Sequence, residues 1–594
     1  MKKFTMLSSV LASALMLTVA SCSSEDVAGG DAQVDKGATS YLAVNIENVG
    51  SAPTSRGYDQ NGGTYEDGTD AESKINKVRF YFFNGDGSPY LLVNNDANKQ
   101  SVNFLDQTVE TDGTDHDHTT ETKTKAVLVL NGETKAVPAS VIAVINPEVL
   151  DNTTLHSGTM TLSELRTSAT GTKFYDNTNG FVMSNSVYES AGQDVCSTPV
   201  ANNVFASSDA ALKKPVDIYV ERVNAKVNAK IDADYVRTGE TEKAWSKNSD
   251  GKYQIKVGDI DVTTYDANST PTTKSYPVYA VVQGWQVADA NGKAEVCKQI
   301  NTSWYAGELG FSPWTTSDYH RCFWSKSVPF TQGAQAGANH PVNPNFNGIS
   351  MSLSNDFSAT PVYTLPNTPT EVIANPTTSL NYLTKLIVAA KLVYQDADGS
   401  YKSAQVCQYR GLTYLGEDAV KKQIAGSFTQ YFKKTSDASG TTVYKSLEAS
   451  DIAFKTVPGS SEVKNYEVVA TLASTVGDLY VKNGEAWTIV SKDDVNAALA
   501  KEDAQVRTAD GATYYYTPIK HLGTAGTLGE YGIVRNHSYQ VTIQNIKGFG
   551  TPVYDPAKEI DPMIPSDENT YLAASIKVLS WRVVSSKVDL DQTK

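Results

Sequence analysis

The chain has 594 residues, 66 acidic against 51 basic side chains and a formal charge of −15, which excludes the basic patches that nucleic acid or anionic lipid headgroups require. Its length exceeds what one hydrophobic core supports, so two or more domains are expected. With 32 Tyr, 41 Gly, 22 Pro and many Thr and Val, the composition predicts a mainly β protein punctuated by turns.

Met1-Lys2-Lys3 precedes an apolar run from Phe4 to Ala20 that leads through Ser21 into Cys22. A charged start, a short apolar stretch and small residues before one cysteine make a bacterial lipoprotein signal over residues 1–21, too short to span a membrane stably. Cys22 is therefore the expected acylated N-terminus, and the chain is expected to leave the cell as a lipoprotein precursor. Ser23 to Thr39 reads as a flexible tether. A half-buried strand follows, Tyr41 to Glu47, with Leu42, Val44 and Ile46 on one face. From Gly50 to about Lys74 the sequence is polar, contains Thr54-Ser55-Arg56-Gly57 and cannot build a core.

Val78 to Phe83 reads as a strand running into the hairpin signal Asn84-Gly85-Asp86-Gly87. Further strands are expected at 126–130, 141–145, 181–184 and 216–222, the last leading almost directly into 225–231. In the first of that pair the even positions are apolar, in the second the odd ones. A strand that switches its buried face marks a domain boundary near Val223. The second half repeats the style at 278–287, 383–394, 466–472, 538–546 and 573–590. The stretches 310–370 and 428–460 read as surface decoration. The expected fold is two tandem β-sandwich domains, 57–223 and 224–594, after a 22–56 segment of tether and first strand.

Motifs with a known catalytic mechanism are missing from the sequence: HExxH, GxSxG, the P-loop and GxGxxG do not occur. No enzyme activity, cofactor or metal is expected. Asp115-His116-Asp117-His118 offers only two histidines on one strand face, and Asp396-Ala397-Asp398-Gly399 lacks the bidentate Glu of a calcium loop, since Cys407 stands there. Besides Cys22 there are Cys196, Cys297, Cys322 and Cys407, which allow three disulfide pairings or remain buried thiols.

Cutting at Arg56 would remove the lipid, the tether and the strand bearing Leu42, Val44 and Ile46. If that strand lies inside a sandwich, its loss leaves an apolar groove and two rows of unpaired backbone groups that would accept another strand. Each apolar side chain re-buried would contribute about 1.5 to 3 kcal/mol. The C-terminus offers a candidate donor: Ile576, Val578, Val584, Val588 and Leu590 share one phase, and Leu579, Trp581 and Val583 the other. A terminal strand apolar on both faces is suited to burial between two sheets.

Ile533 to Ile543 with its Arg535-Asn536-His537, the ending Ser575 to Val584 with Trp581-Arg582-Val583-Val584, the passage Val220 to Val227, and the lipobox followed by strand, Arg and loop resemble the fimbrillin family. The shaft subunits of Mfa-type minor fimbriae, the type V pili, are the nearest likeness. Ser23-Ser24-Glu25-Asp26 likewise resembles the acidic signal that sends lipoproteins of Bacteroidetes-type bacteria to the outer surface. The resemblance implies two transthyretin-like (Greek-key) β-sandwiches and cleavage after Arg56 by a trypsin-like surface protease, with Gly57 as the new N-terminus. It also implies polymerisation by donor-strand exchange into extracellular fimbriae that support adhesion. Implied partners are copies of the chain, tip and anchor subunits, and the outer membrane through the lipid before cleavage. Arg535-Asn536-His537 reads as structural.

Two other readings stand beside this one. The chain could be a fimbrial tip or anchor subunit. Alternatively it could be a monomeric surface lipoprotein that binds glycans on Trp304, Trp314 and Trp324.

Overall fold

A computed structural model describes residues 39–48, 68–93, 100–108, 123–134, 136–151, 154–167, 169–186, 195–265, 271–311, 322–328, 343–349, 360–374, 383–456, 467–560, 562 and 571–580. The protein is mainly β. The first sheet is built from β1 (Thr39–Asn48), β2 (Lys77–Phe83), β3 (Phe104–Thr108), β4 (Lys123–Asn131), β5 (Ser140–Ile145), β6 (Met183–Asn185), β7 (Val204–Phe205) and β8 (Val216–Arg222). The order is β7-β1-β8-β6-β5-β2-β3, with β4 also paired to β1. Alternation places Val78, Phe80 and Phe82 on one face with Val141, Ala143 and Ile145, and Tyr81, Phe83, Ile142 and Val144 on the other. Both faces are covered, so β5 reads as an unbroken apolar run. After β2 the chain turns where expected. The Asn84 N–H donates to Ser88 O and the Gly87 N–H to Asn84 O, with Gly87 at φ +79°, a left-handed angle that glycine adopts without strain.

β8 ends at Arg222 in this sheet, and β9 (Ala225–Ile231) begins in another. The buried positions change from Val216, Ile218 and Val220 to Ala225, Val227, Ala229 and Ile231. Next come β10 (Tyr253–Tyr265), β11 (Pro271–Ala288), β12 (Val362–Thr364) and β13 (Lys385–Gln395). An inserted body between 406 and 506 contains α1 (Glu417–Ser427), β14 (Phe432–Ser436), β15 (Thr442–Ser446), β16 (Leu479–Asn483), β17 (Ala486–Val490) and α2 (Lys492–Leu499). The chain closes with β18 (Ala512–Pro518), β19 (His537–Lys547) and β20 (Tyr571–Ser580). The sheet β12-β9-β19-β20 and the sheet containing β10-β11-β13-β18 share one core, which includes Val227, Ile255, Val282, Trp285, Leu386, Val388 and Val541.

The inserted body has its own core, in which Val420 and Ile424 of α1 and Val495 and Leu499 of α2 pack on Val468, Ala470 and Leu479. Its strands are short and interleaved with lysines and threonines, so their alternation is weak, and part of the body falls in the stretch read above as decoration. Residues from 310–370 also differ from the expectation. Cys322 and Trp324 are fully buried with Trp304, Cys196 and Ile300, while Phe346 and Ile349 cover another core. An exposed platform of Trp304 and Trp324 is thereby excluded; Trp314 lies outside the described residues. Cys196, Cys297, Cys322 and Cys407 are buried as thiols, and burial pushes Cys297, Cys322 and Cys407 up to about 12.

Buried ionic side chains join the two sandwiches. Glu221 at the end of β8 pairs with Lys298 at 3.1 Å and with Arg535 at 3.4 Å, and Arg535 Nη2 donates to Ser184 Oγ and Val296 O. Arg222 donates from Nε to Glu72 O, and from its backbone N–H and Nη1 to Asn536 Oδ1. Glu72 in turn pairs with Lys226 and accepts from the Tyr363 hydroxyl at 2.6 Å. Removing one partner of such a buried pair strands the other charge, at a cost of about 3–5 kcal/mol.

Beside this cluster, burial pushes the Glu295 carboxyl up to about 7, against the opposing pull of Arg535, Lys326 and Arg166, and its Oε2 has no hydrogen-bond partner among the described residues. With the folded value above the ordinary 4.5, stability is complete below about pH 4.5 and falls as pH rises through 7. Glu295→Gln is therefore expected to gain on the order of 1–3 kcal/mol over the native chain at pH 8 and little at pH 4.5. Urea unfolding at the two pH values checks this, and an equal difference at both refutes it.

Candidate functional site: the β1 slot and the C-terminal strand

β1 is an interior strand. β4 runs antiparallel along one edge, from Thr39 opposite Asn131 to Glu47 opposite Lys123. The other edge is shared: β7 pairs antiparallel at Tyr41 and Leu42, and β8 pairs parallel from Val44 opposite Val216 to Asn48 opposite Val220. Leu42 is 0% and Val44 1% exposed, and both belong to the core that contains Phe80, Phe82, Leu128, Leu130, Ile218 and Val220. Ile46 is opposite Ile218 and Thr124 in the ladder, and its side chain lies outside the described residues. The Thr39 hydroxyl donates to Asn131 Oδ1 at 3.0 Å at the start of the strand.

Cys22, Arg56 and Gly57 lie outside the described residues. At the other end of the chain, Ile576, Val578 and Leu579 fall in β20, which pairs antiparallel with β19 of the same chain: Val541 opposite Ile576, Tyr539 opposite Val578, Ser538 opposite Leu579. β20 forms the edge of its sheet. Three positions of the expected donor, Ile576, Val578 and Leu579, thus occupy a ladder with β19 of the same chain. Tyr539 and Val541 bury their side chains in the sandwich core. Trp581, Val583, Val584, Val588 and Leu590 lie outside the described residues.

Arg535-Asn536-His537 sits at the junction between the sandwiches. Asn536 adopts φ +55° with its N–H donated to Asn224 O, and His537 Nδ1 lies 2.8 Å from Arg535 O. Asp396 to Gly399 forms a hairpin turn in which the Gly399 N–H donates to Asp396 O. Lys402 and Lys274 neutralise Asp396. Asp115 to His118 lie outside the described residues, and among the described residues no cluster could hold a metal ion. Sequence reading missed β4 and β7 as the walls of the β1 slot. A signal for β4 was present in the alternation of Ala126, Leu128 and Leu130, whereas β7, two residues long, carries none.

A charge at Leu42 would be buried and unpaired. Leu42→Asp in the uncleaved chain is expected to destabilise the first sandwich by about 3–5 kcal/mol. Thr39→Asp, on the exposed start of the same strand, is expected to stay within about 0.5 kcal/mol of the parent. Equal effects of the two in chemical denaturation would contradict the interior placement of β1.

No curated protein matches the sequence. Among solved structures, a fimbrilin from Porphyromonas gingivalis W83 aligns at 13% identity and a TM-score of 0.35, covering 93% of this chain and 100% of that one. The tip fimbrial protein Mfa3 from Porphyromonas gingivalis, truncated at its C-terminus, aligns at 9% identity and a TM-score of 0.30, covering 91% and 99%. Residues 509–587 match the family model for the C-terminal part of fimbrillin, the major fimbrial subunit protein type IV. That match spans β18, β19 and β20, the strands that carry the junction motif and the root of the C-terminal segment. Over these residues the chain is similar to the C-terminal part of fimbrillin.

Proposed function

We propose that this chain is a shaft subunit of a surface fimbria and polymerises by donor-strand exchange. It is exported as a lipoprotein on Cys22 and held at the outer membrane by the lipid. A trypsin-like surface protease cuts it after Arg56, leaving Gly57 as the new N-terminus. β1 then leaves its slot, and the C-terminal segment of another copy enters. Tip and anchor subunits complete the fibre.

The observation that carries this reading is the position of β1: inside the sheet, paired on both edges, with Leu42 and Val44 in the core. Such a strand is costly to remove without replacement. The residues between it and Thr69 are polar and contain Arg56, so one cut separates the strand covalently from the body that it completes. On this proposal Ile576, Val578 and Leu579 remain in β20 as the root. Trp581, Val583, Val584, Val588 and Leu590 then reach into the neighbour. The burial of Trp304 and Trp324 removes the main support for a monomeric glycan binder on those residues.

Two variants test the mechanism by its separate steps. Arg56→Ala is expected to stay monomeric and to keep its β1 after protease treatment. A chain ending at Ser580 is expected to be cut normally, to show Gly57 at its N-terminus and still to form no polymer. Detergent-resistant ladders on gels, together with intact mass, read both. Ladders from either variant would overturn the exchange.

A further inference from the structure

The inserted body carries a sheet face that neither the strand slot nor the C-terminal strand uses. In the sheet β15-β14-β16-β17 the cross-strand partners Lys434 and Tyr444, Phe432 and Tyr480, Tyr480 and Ile489, and Lys482 and Trp487 all share one face. The opposite face carries Leu479 and Val490 into the core of the body, and Lys433 to a pair with Asp451. The aromatic face therefore points away from that core. Its rings pack on one another. Tyr444 and Trp487 are stacked with centroids 3.9 Å apart and planes at 9°, and Phe432 meets Trp487 and Tyr480 meets Tyr444 edge-on at 5.0 and 5.2 Å. The two hairpins touch through only two residue pairs, Phe432 with Tyr480 and Lys433 with Leu479, so the sheet rolls until its outer strands bring these rings together. All four rings are half-buried and Ile489 is 58% exposed. A monomeric surface rarely shows so concentrated an apolar patch without a use for it.

The charged side chains within the four strands have one sign, while Asp437 and Glu485 stand in the turns. The four strands contain Lys433, Lys434, Lys445 and Lys482 and no Asp or Glu, in a chain whose formal charge is −15. Lys434 and Lys482 lie on the aromatic face, both exposed, and among the described residues neither forms an ion pair. The Lys482 ammonium stands 5.9 Å from the centre of the Trp487 ring. An aromatic face carries negative charge density and attracts the C–H face of a pyranose ring, and ammonium groups at its rim attract carboxylates. Stacking surface and cations side by side match a sugar that carries a carboxylate.

We propose that this face of the inserted body binds acidic glycans, with an outer face of the Tyr444–Trp487 stack against the sugar ring and Lys434 and Lys482 on its carboxylate. The assignment is independent of cleavage and strand exchange. The full uncleaved chain is titrated calorimetrically with hyaluronan oligosaccharides (uronic acid), with sialic-acid oligomers and with neutral dextran of equal length. Binding of at least one acidic oligosaccharide, weakened at least tenfold in Trp487→Ala and at least fivefold in Lys434→Gln/Lys482→Gln, is expected, with no heat from dextran. The arm that binds distinguishes uronic from sialic acid. Trp487→Phe keeps an aromatic ring and is expected to retain most of the affinity, so a loss in Trp487→Ala caused by misfolding is recognised. No binding of either acidic glycan, or equal binding by all variants, overturns the proposal. So does glycan-independent self-association abolished by Trp487→Ala, which would identify a second copy as the occupant.

Discussion

A strand inside a sheet must satisfy backbone groups along two edges, and β1 does so with β4 on one side and β7 and β8 on the other. Within the sheet, β4 and β7 have no hydrogen-bonded partner except β1 among the described residues. Loss of β1 therefore does more than open a groove between fixed walls. It leaves β8 with a bare edge and removes the ladder partner of β4, whose Leu128 and Leu130 are part of the core and whose end stays bonded through the Val93 N–H to Asn131 O. An entering strand must pair with β8 and recover β4 together, which favours occupants long enough to run the full ladder.

The slot and the root of the C-terminal segment are mechanically linked. β8, one wall of the slot, ends at Glu221 and Arg222; β19, which carries β20, begins just after Arg535 and Asn536. Glu221 pairs with Arg535, and the Arg222 backbone N–H donates to Asn536 Oδ1. These contacts span more than 300 positions of sequence and are buried, so they fix how β8 is oriented relative to β19 and the β20 strand that it carries. In a polymer built by exchange, that relation sets the rise and rotation between neighbours. Apolar contacts alone would hold the sandwiches together without choosing one orientation; paired buried charges penalise every arrangement that separates them.

Period-two alternation made most strands legible, and the change of phase between Val220 and Ala225 showed where the chain leaves one sheet for another. The motif Arg535-Asn536-His537 could be read as structural, but its partners Glu221, Arg222, Ser184 and Val296 could not, because long-range ion pairs leave no local pattern. The inserted body escaped notice for a different reason. Strands of four to six residues with Lys or Thr at every second or third position, such as Phe432-Lys433-Lys434-Thr435-Ser436, do not rise above the pattern of a polar loop. Trp304 and Trp324 misled in the opposite direction: aromatics amid Gly, Pro and Asn look exposed, yet here they anchor a loop to a core.

The inserted body is attached to the sandwich at a few defined points. Arg507, at the return from the insertion, donates from Nη1 to Val406 O and from Nη2 to Phe549 O and Gly550 O, closing both ends of the insertion on the sandwich. Gly550 at φ +70° leaves no room for a Cβ, which would fall 2.5 Å from Thr513 Oγ1. The Tyr554 hydroxyl adds a bond to Phe454 O. Because the body has its own core, the energy that holds β14 to β17 in place comes from Leu479, Val490 and the two helices and not from the slot. Substitutions on the aromatic face can thus change what the surface meets without altering the register of β1 or the ion pairs at the junction. The aromatic face thus belongs to a separately folded part of the chain.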